Sequence, residues 1–286
     1  MNVIVGSEGF IGQHYTRCLT NINEDFFRVP TREALLNIIS ANRELTLGEV
    51  SNVIWLAGKT FPFNCTSINN PNYMNDLESL DHFLEFLQGR RWSGRFIFLS
   101  SGGCVYASSS NPLSESSELG PNNLYGTLKL EQEKLVIASG IMHSILRVAN
   151  VFGHKNRIIS GQDVISNWIS NYKLGNTCEV YGNLDSFRDY INVIDVVRAI
   201  MSCSMNSTVN HLLNIGSGEV MQTRELMELF TRHTHGQIKF HFKNSREIDR
   251  NGYVLDISHA KKVLGWIPTN SHISDVSDFI VEELRK

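Results

Sequence analysis

The segment Tyr125-Gly126-Thr127-Leu128-Lys129 carries a phenol and an ammonium four residues apart. On a helix that spacing stacks them one turn apart on a single face. A free tyrosine titrates near about 10, and a fixed positive charge beside it favours the phenolate. The spacing therefore predicts a lowered Tyr125 pKa and a pair able to trade a proton with a hydroxyl or carbonyl. Taken alone it is a common spacing, shown as well by a surface tyrosine packed along a lysine stem. A second constellation stands at the start of the chain. Gly6-Ser7-Glu8-Gly9-Phe10-Ile11-Gly12 follows the apolar run Asn2 to Val5 and precedes a helical pattern reaching Leu19. Strand, glycine-rich turn and helix in that order suit a dinucleotide. Gly6 would allow the tight turn, Gly9 the approach of backbone to a pyrophosphate, and Gly12 close packing of helix on sheet. Phe10 and Ile11 would open the helix whose N-terminus faces the phosphates. The alternative is a plain glycine-rich turn.

The segment Asp25 to Val29 reads as the next strand. An NAD-selective site usually ends this strand with Asp or Glu to hold the ribose hydroxyls. Here it ends Arg28-Val29-Pro30-Thr31-Arg32. Two guanidinium groups suit a 2′-phosphate, so NADP is expected over NAD unless both arginines are simply solvated. The 286 residues allow one large domain or two unequal lobes. A net charge of −3 gives no case for nucleic acid or an anionic membrane. No apolar run approaches the roughly 18–20 residues that cross a bilayer. The N-terminus lacks a basic region and a long apolar region, so no signal peptide is expected. Cys18, Cys65, Cys104, Cys178 and Cys203 form no C-x-x-C pair. Neither a disulfide framework nor a zinc site is suggested, and a reduced cytoplasm fits. His233 and His235 lack partner ligands and read as solvated loop residues, so no metal is expected.

These groups must be placed by a framework of alternating strands and helices. After a helix over Glu33 to Leu47, Val53 to Gly58 reads as a strand. Only about twenty residues separate it from the strand before, so this half of the sheet should be shortened. A polar loop over 62–72 leads to a helix over Asn75 to Leu87. Phe96 to Leu99 is a buried strand running into Ser100–Tyr106, and a loop over 107–121 precedes the helix of Tyr125, which runs to Ala138. Strands at Ser144–Val148 and His211–Ile215 follow, with a helix around Val164 to Tyr172 and another over Ile194 to Cys203. Beyond them come a helix over Thr223–Thr231 capped by Gln222 or Thr223, a strand over Gln237–Phe242, and helices at Ser258–Leu264 and Ser274–Leu284. The expected class is α/β, a Rossmann-like doubly wound parallel sheet with a smaller C-terminal substrate domain. Residues 1–152 and 189–216 would form the NAD(P)-binding domain, and 153–188 with 217–286 the substrate domain.

Several motifs in order resemble the extended short-chain dehydrogenase/reductases of the nucleotide-sugar epimerase/dehydratase group. They are the glycine turn, Leu56-Ala57, Ser100 to Tyr106, Tyr125 to Lys129, Leu146 to Gly153, Arg188-Asp189-Tyr190, Asn214 to Gly218 and Leu264 to Pro268. The resemblance implies Tyr125 as acid/base, Lys129 on the nicotinamide ribose, and Leu56 and Ala57 against the cofactor. It implies Arg188 and Arg246 on a sugar-nucleotide diphosphate and Asn150 on the substrate. Arg246 sits in a loosely matching stretch, where a surface charge is the alternative. It also implies a homodimer through the helices near 75–88 and 124–138.

The departures bear on the reaction. The position of the epimerases' Ser or Thr is Gly102 here, and the Thr common before Val-Tyr is Cys104. An epimerase-reductase of the group also has Cys there. Ser101 remains as a possible hydroxyl donor, while a thiol is a weak one. Cys104 is open to two readings, a small buried hydrophobe or a group facing the sugar. The shortened sheet half is more like the 4-keto-sugar reductases. The expected activity is thus NADPH-dependent reduction of a 4-keto nucleotide sugar. The rivals are an NAD-dependent 4-epimerase and, from another class, a non-catalytic NADP-binding regulator.

Overall fold

The computed structural model describes residues 1–31, 47–65, 67–107, 112–153, 163–205, 210–246 and 251–286. The helix expected over Glu33 to Leu47 falls outside the described residues up to position 46, and Leu47–Glu49 is a single 3₁₀ turn.

Six parallel strands form the central sheet. They are β1 (Asn2–Val5), β2 (Phe26–Val29), β3 (Asn52–Trp55), β4 (Arg95–Ser101), β5 (His143–Val148) and β6 (His211–Ile215). Their spatial order is β6-β5-β4-β3-β1-β2. Apolar runs without polar alternation call for burial on both faces, and the period-2 geometry of a strand then splits each run between two cores. Ile4, Ile54, Ile97, Leu99 and Leu146 face one core, with Tyr15 and Leu19 of helix α1 (Phe10–Asn21) and Val196, Val197 and Ile200 of the 193–205 helix. Val3, Val5, Val53, Trp55, Phe96, Phe98 and Ile145 face the other. Helices α2 (Pro71–Gly89) and α3 (Leu124–Ala138) cover that second face, through Leu80, Phe83, Leu84 and Leu87 of α2 and Val136 of α3.

Helix α2 starts four residues before the expected Asn75. Asn70 caps it by accepting from the Asn72 amide at 2.9 Å, and Pro71 takes the first helical position, where its missing N–H costs nothing. A third core, with Phe152, Trp168, Ile169, Phe230, Val276 and Ile280, holds together the helices Val164–Lys173, Thr223–His233 and Ile273–Arg285. Two short strands pair there, Cys178–Tyr181 with Phe240–Lys243, the latter later in the chain than the expected Gln237 start.

Two buried carboxylates tie this part to the sheet. Asp189 accepts from Ser217 N and Oγ, both at 2.7 Å, from Gly218 N and from Leu255 N. A Cβ on Gly216 would lie 2.3 Å from Asp189 Oδ2, so the Asp189 and Gly216-Ser217-Gly218 motifs form one joint. Asp195 binds the segment 269–271 through the Thr269 and Asn270 amides and the Ser271 hydroxyl, the last at 2.6 Å. His233 hydrogen-bonds Ser277 Oγ at 2.8 Å rather than standing in a solvated loop. Among the described residues no group of side chains could hold a metal ion, and no helix is long and apolar enough to cross a membrane.

Candidate functional site

The strand order reverses between β1 and β3, and in open α/β sheets ligands bind in the crevice at such a point. A cleft of about 1270 Å³ opens there. Gly6 has φ +89°, and a Cβ on it would lie 2.8 Å from Ala57 N and Leu56 C. The turn after β1 is thus pressed against the end of β3. A Cβ on Gly12 would come within 2.3 Å of Gly6 O, so the helix can meet the turn only without a side chain. Gly9 is the N-cap of α1, with no side-chain cap and no acid in the first turn. An N-terminus with no side-chain cap and no acid attracts an anion. Ser7 Oγ is buried without a partner among the described residues. These features fit a dinucleotide pyrophosphate, with Gly6, Gly9, Phe10, Ile11 and Gly12 as the cradle and Leu56 and Ala57 as the facing wall, all lining the cleft.

Arg28 is not part of that lining. Its side chain is exposed on β2, with the guanidinium 5.5 Å from the Phe26 ring centroid. Arg32 lies outside the described residues. Two groups that sequence reasoning missed, His14 and Arg17, do line the cleft. The signal was available, because 10, 14 and 17 share one face of α1.

The opposite wall comes from α3 and the end of β4. Asn123 caps α3 by accepting from Gly126 N at 2.9 Å, which directs its first two turns at the cleft. Tyr125, Lys129, Ser101 and Cys104 all line it. Lys129 Nζ donates to Leu99 O at 3.0 Å and lies 4.9 Å from the Phe98 ring centroid and 5.8 Å from that of Tyr125. The Tyr125 pKa is raised, opposite to the expectation from spacing. Burial is the largest cause, with the Cys104 and Asp76 charges adding to it. Lys129 is pulled down to about 8 by burial, against the attraction of Asp76, Glu133 and Cys104. The pairing geometry was legible, but the field was not. Desolvation of both groups outweighs the mutual effect.

Glu133 continues the same helix face one turn beyond Lys129. It is buried, accepts from Ser100 Oγ at 2.5 Å and forms a two-pronged pair with Arg147, at 3.0 and 2.7 Å. Asp76 performs a similar service for the loop after β3. Its carboxylate accepts the Lys59 and Thr60 amides at 2.9 and 2.8 Å. Thr60, also missed by sequence reasoning, lines the cleft with its Oγ1 buried and unpartnered among the described residues. Such a hydroxyl is costly unless a ligand completes it.

Arg188 and Arg246 reach the same cleft from the smaller part of the molecule, and Asn150 from just after β5. Arg188 donates to Phe187 O at 2.8 Å, and the Arg246 guanidinium stacks 4.2 Å from the Tyr181 ring centroid. Two guanidinium groups on one wall can grip a diphosphate.

The family model described as NAD dependent epimerase/dehydratase matches residues 2–216. An Escherichia coli dTDP-4-dehydro-6-deoxyglucose reductase is 34% identical over 67% of this chain, a match spanning 61% of that protein. A putative UDP-glucose 4-epimerase of Methanocaldococcus jannaschii is 26% identical over 94% of this chain and 93% of its own length. Among solved structures, MoeE5 in complex with UDP-glucuronic acid and NAD superposes with a TM-score of 0.86 at 23% identity, covering 99% of this chain and 98% of that one.

Proposed function

The chain belongs to the NAD dependent epimerase/dehydratase family, and on that premise we propose that it is an NADPH-dependent reductase of a 4-keto sugar carried on a nucleoside diphosphate. The observation that carries this reading is the pairing of Tyr125 with Lys129 on the cleft wall, Lys129 Nζ lying 5.8 Å from the Tyr125 ring centroid. Burial favours the neutral phenol, the form that gives a proton. A bound NADPH would supply the hydride for the sugar C4 carbonyl. Tyr125 gives its proton to the oxygen at C4, so ketone, hydride and proton become one alcohol. Lys129, anchored on Leu99 O, would hold the nicotinamide ribose and support the tyrosinate left behind. Arg188 and Arg246 hold the diphosphate and Asn150 the sugar.

Two further features support reduction over epimerisation. A side chain at Gly102, where the epimerases carry their hydroxyl, would meet Leu255 Cδ1 at 2.6 Å. The E. coli relative is named as a reductase of a 4-keto sugar. NADP is preferred in this reading because no acid ends β2, although Arg28 itself stands off the cleft. Residues 1–152 with 189–216 bind the dinucleotide, and 153–188 with 217–286 the nucleotide sugar. A homodimer through the outer faces of α2 and α3 and a cytoplasmic location belong to the same proposal.

The test uses the purified protein with dTDP- and GDP-linked 4-keto-6-deoxyhexoses. Consumption of added NADPH is expected. Tightly held NAD and interconversion of C4 epimers without added cofactor would replace the proposal by the epimerase. NADP binding without turnover on any keto sugar would point to a regulator.

A further inference from the structure

The chain holds one Asn-Gly pair, Asn251-Gly252. Asn251 is exposed and lines the cleft. Asn167, Asn171, Asn176 and Asn183 line it too, but each is followed by a residue with a side chain. A side chain there crowds the following backbone nitrogen and narrows its φ and ψ, and glycine does neither. Packing nevertheless demands glycine at 252. A Cβ there would lie 2.5 Å from Phe187 Cδ1 and Cε1. The segment is held against Phe187 by Phe187 N, which donates to Asn251 O at 3.1 Å. The carbonyl of Phe187 in turn accepts from the Arg188 guanidinium at 2.8 Å. Beyond Gly252, Tyr253 and Leu255 are buried, and Leu255 N donates to Asp189 Oδ2 at 3.1 Å. Asn251 thus stands where the chain 251–255 takes its register from Phe187-Arg188-Asp189.

We propose that Asn251 is a site of spontaneous deamidation, and that its conversion disables the nucleotide-sugar end of the cleft while sparing the dinucleotide end. The functional half rests on the proposed role of Arg188 and Arg246 in holding the diphosphate. The Gly252 nitrogen attacks Asn251 Cγ, the new C–N bond closes a five-membered succinimide, and ammonia leaves. Water then opens the ring at either carbonyl. One opening gives aspartate, and the other gives isoaspartate, in which the main chain runs through the former side-chain carbon. Either product adds a carboxylate to the wall that carries Arg188 and Arg246. It repels a diphosphate and competes with it for the guanidinium groups. Isoaspartate also lengthens the main chain by one methylene, which shifts Gly252 along Phe187, where no space is left. The glycine turn at 6–12 is built on β1 and α1 and is untouched. A nucleotide in the cleft covers Asn251, so conversion belongs to the empty protein.

The test incubates the full chain, warm and at mildly alkaline pH, beside Asn251→Gln, whose longer side chain closes the ring far more slowly. Peptide mapping should place the amide-to-acid mass gain at Asn251 first, with aspartate and isoaspartate both present. Calorimetry before and after incubation uses dTDP, UDP and GDP for one end of the cleft and NADPH for the other. Affinity for the nucleoside diphosphate that fresh protein binds should fall in the converted fraction by about 10-fold or more, as expected for a new like charge a few ångströms away. NADPH affinity should hold. The same nucleoside diphosphate, present during incubation, should slow the conversion, and Asn251→Gln should keep its own starting affinities throughout. No conversion at Asn251, or conversion equally fast at Asn167 or Asn183, overturns the proposal. So does conversion at Asn251 that leaves nucleotide affinity unchanged, or an equal loss of affinity in Asn251→Gln. Fresh protein that binds none of the three nucleotides overturns the role of Arg188 and Arg246 and with it the functional half, and the mapping then decides the modification site by itself.

Discussion

Replacement of Gly126 by alanine sets helix propensity against a tertiary contact. Gly126 is the third residue of α3, directly after Tyr125. By propensity alone, alanine stabilises a helix over glycine by about 1 kcal/mol. The structure points the other way. A Cβ at position 126 would lie 2.2 Å from Cys104 O, 3.0 Å from Cys104 C and 2.8 Å from Pro121 Cβ. Ordinary contact needs about 3.5 Å, so helix and loop must part by about 1 Å. The nearest atom is a backbone oxygen and Pro121 Cβ belongs to a closed ring, so no rotamer change relieves them. Overpacking of this kind costs about 1–3 kcal/mol. The balance is a loss of roughly 0–2 kcal/mol, or a Tm lower by a few degrees for a chain of this size. Activity should suffer more. The displaced contact joins Tyr125 to the loop of Ser101 and Cys104, and a misplacement of about 1 Å costs on the order of 10² in rate. Melting by circular dichroism and steady-state kcat/KM for the keto sugar are the assays, with NADPH affinity expected to hold. A Gly126→Ala protein that melts higher and turns over normally would refute the reasoning. It would mean that α3 and the loop are not in contact where the catalytic wall is built.

Other outcomes follow from the same geometry. Tyr125→Phe should lower turnover by a factor on the order of 10²–10⁴ with NADPH affinity unchanged, and full activity would remove Tyr125 from the chemistry. Competitive amine labelling of the free protein should show Lys129 reacting with a midpoint near about 8, below the roughly 10.5 of solvated lysines; a midpoint shared with the other lysines would contradict its burial. The Asp195 carboxyl is held below its usual value, burial being more than offset by the Ser271 hydroxyl and the 269–270 amides. A depressed acid stabilises the fold above its unfolded value and loses that contribution as pH falls through the folded one. Urea midpoints should therefore fall on acidification less steeply in Asp195→Asn than in the parent, the variant being already weaker at pH 7, and parallel curves would count against the clamp. Titration calorimetry should show NADP(H) bound more tightly than NAD(H), and equal affinities would remove the preference.

The strands and the order of chemistry-bearing motifs were determined by the sequence alone. Uninterrupted apolar runs such as Val3-Ile4-Val5 and Phe96-Ile97-Phe98 require burial on both faces, and glycines at 6, 9 and 12 after such a run have few other uses. The short span between β2 and β3 likewise suggested a shortened half of the sheet, and among the described residues β2 is its edge strand. These are local properties, fixed by spacing and side-chain type. Tertiary structure decided what depends on neighbours distant in the chain. Tyr125 and Lys129 are four apart in any helix, but the direction of the Tyr125 shift comes from burial and from Cys104 and Asp76. Arg28 looked like a phosphate ligand because strand ends bind ribose, yet its guanidinium turns to Phe26, outside the cleft. Thr60, His14 and Arg17 gave no motif, and enter the site because the end of β3 and one face of α1 meet the same crevice. Gly126 reads as a weak helix residue until Cys104 O is found 2.2 Å from where its side chain would begin. Spacing along a chain fixes which groups can share a face, whereas solvent exclusion and close approach are sums over the whole fold.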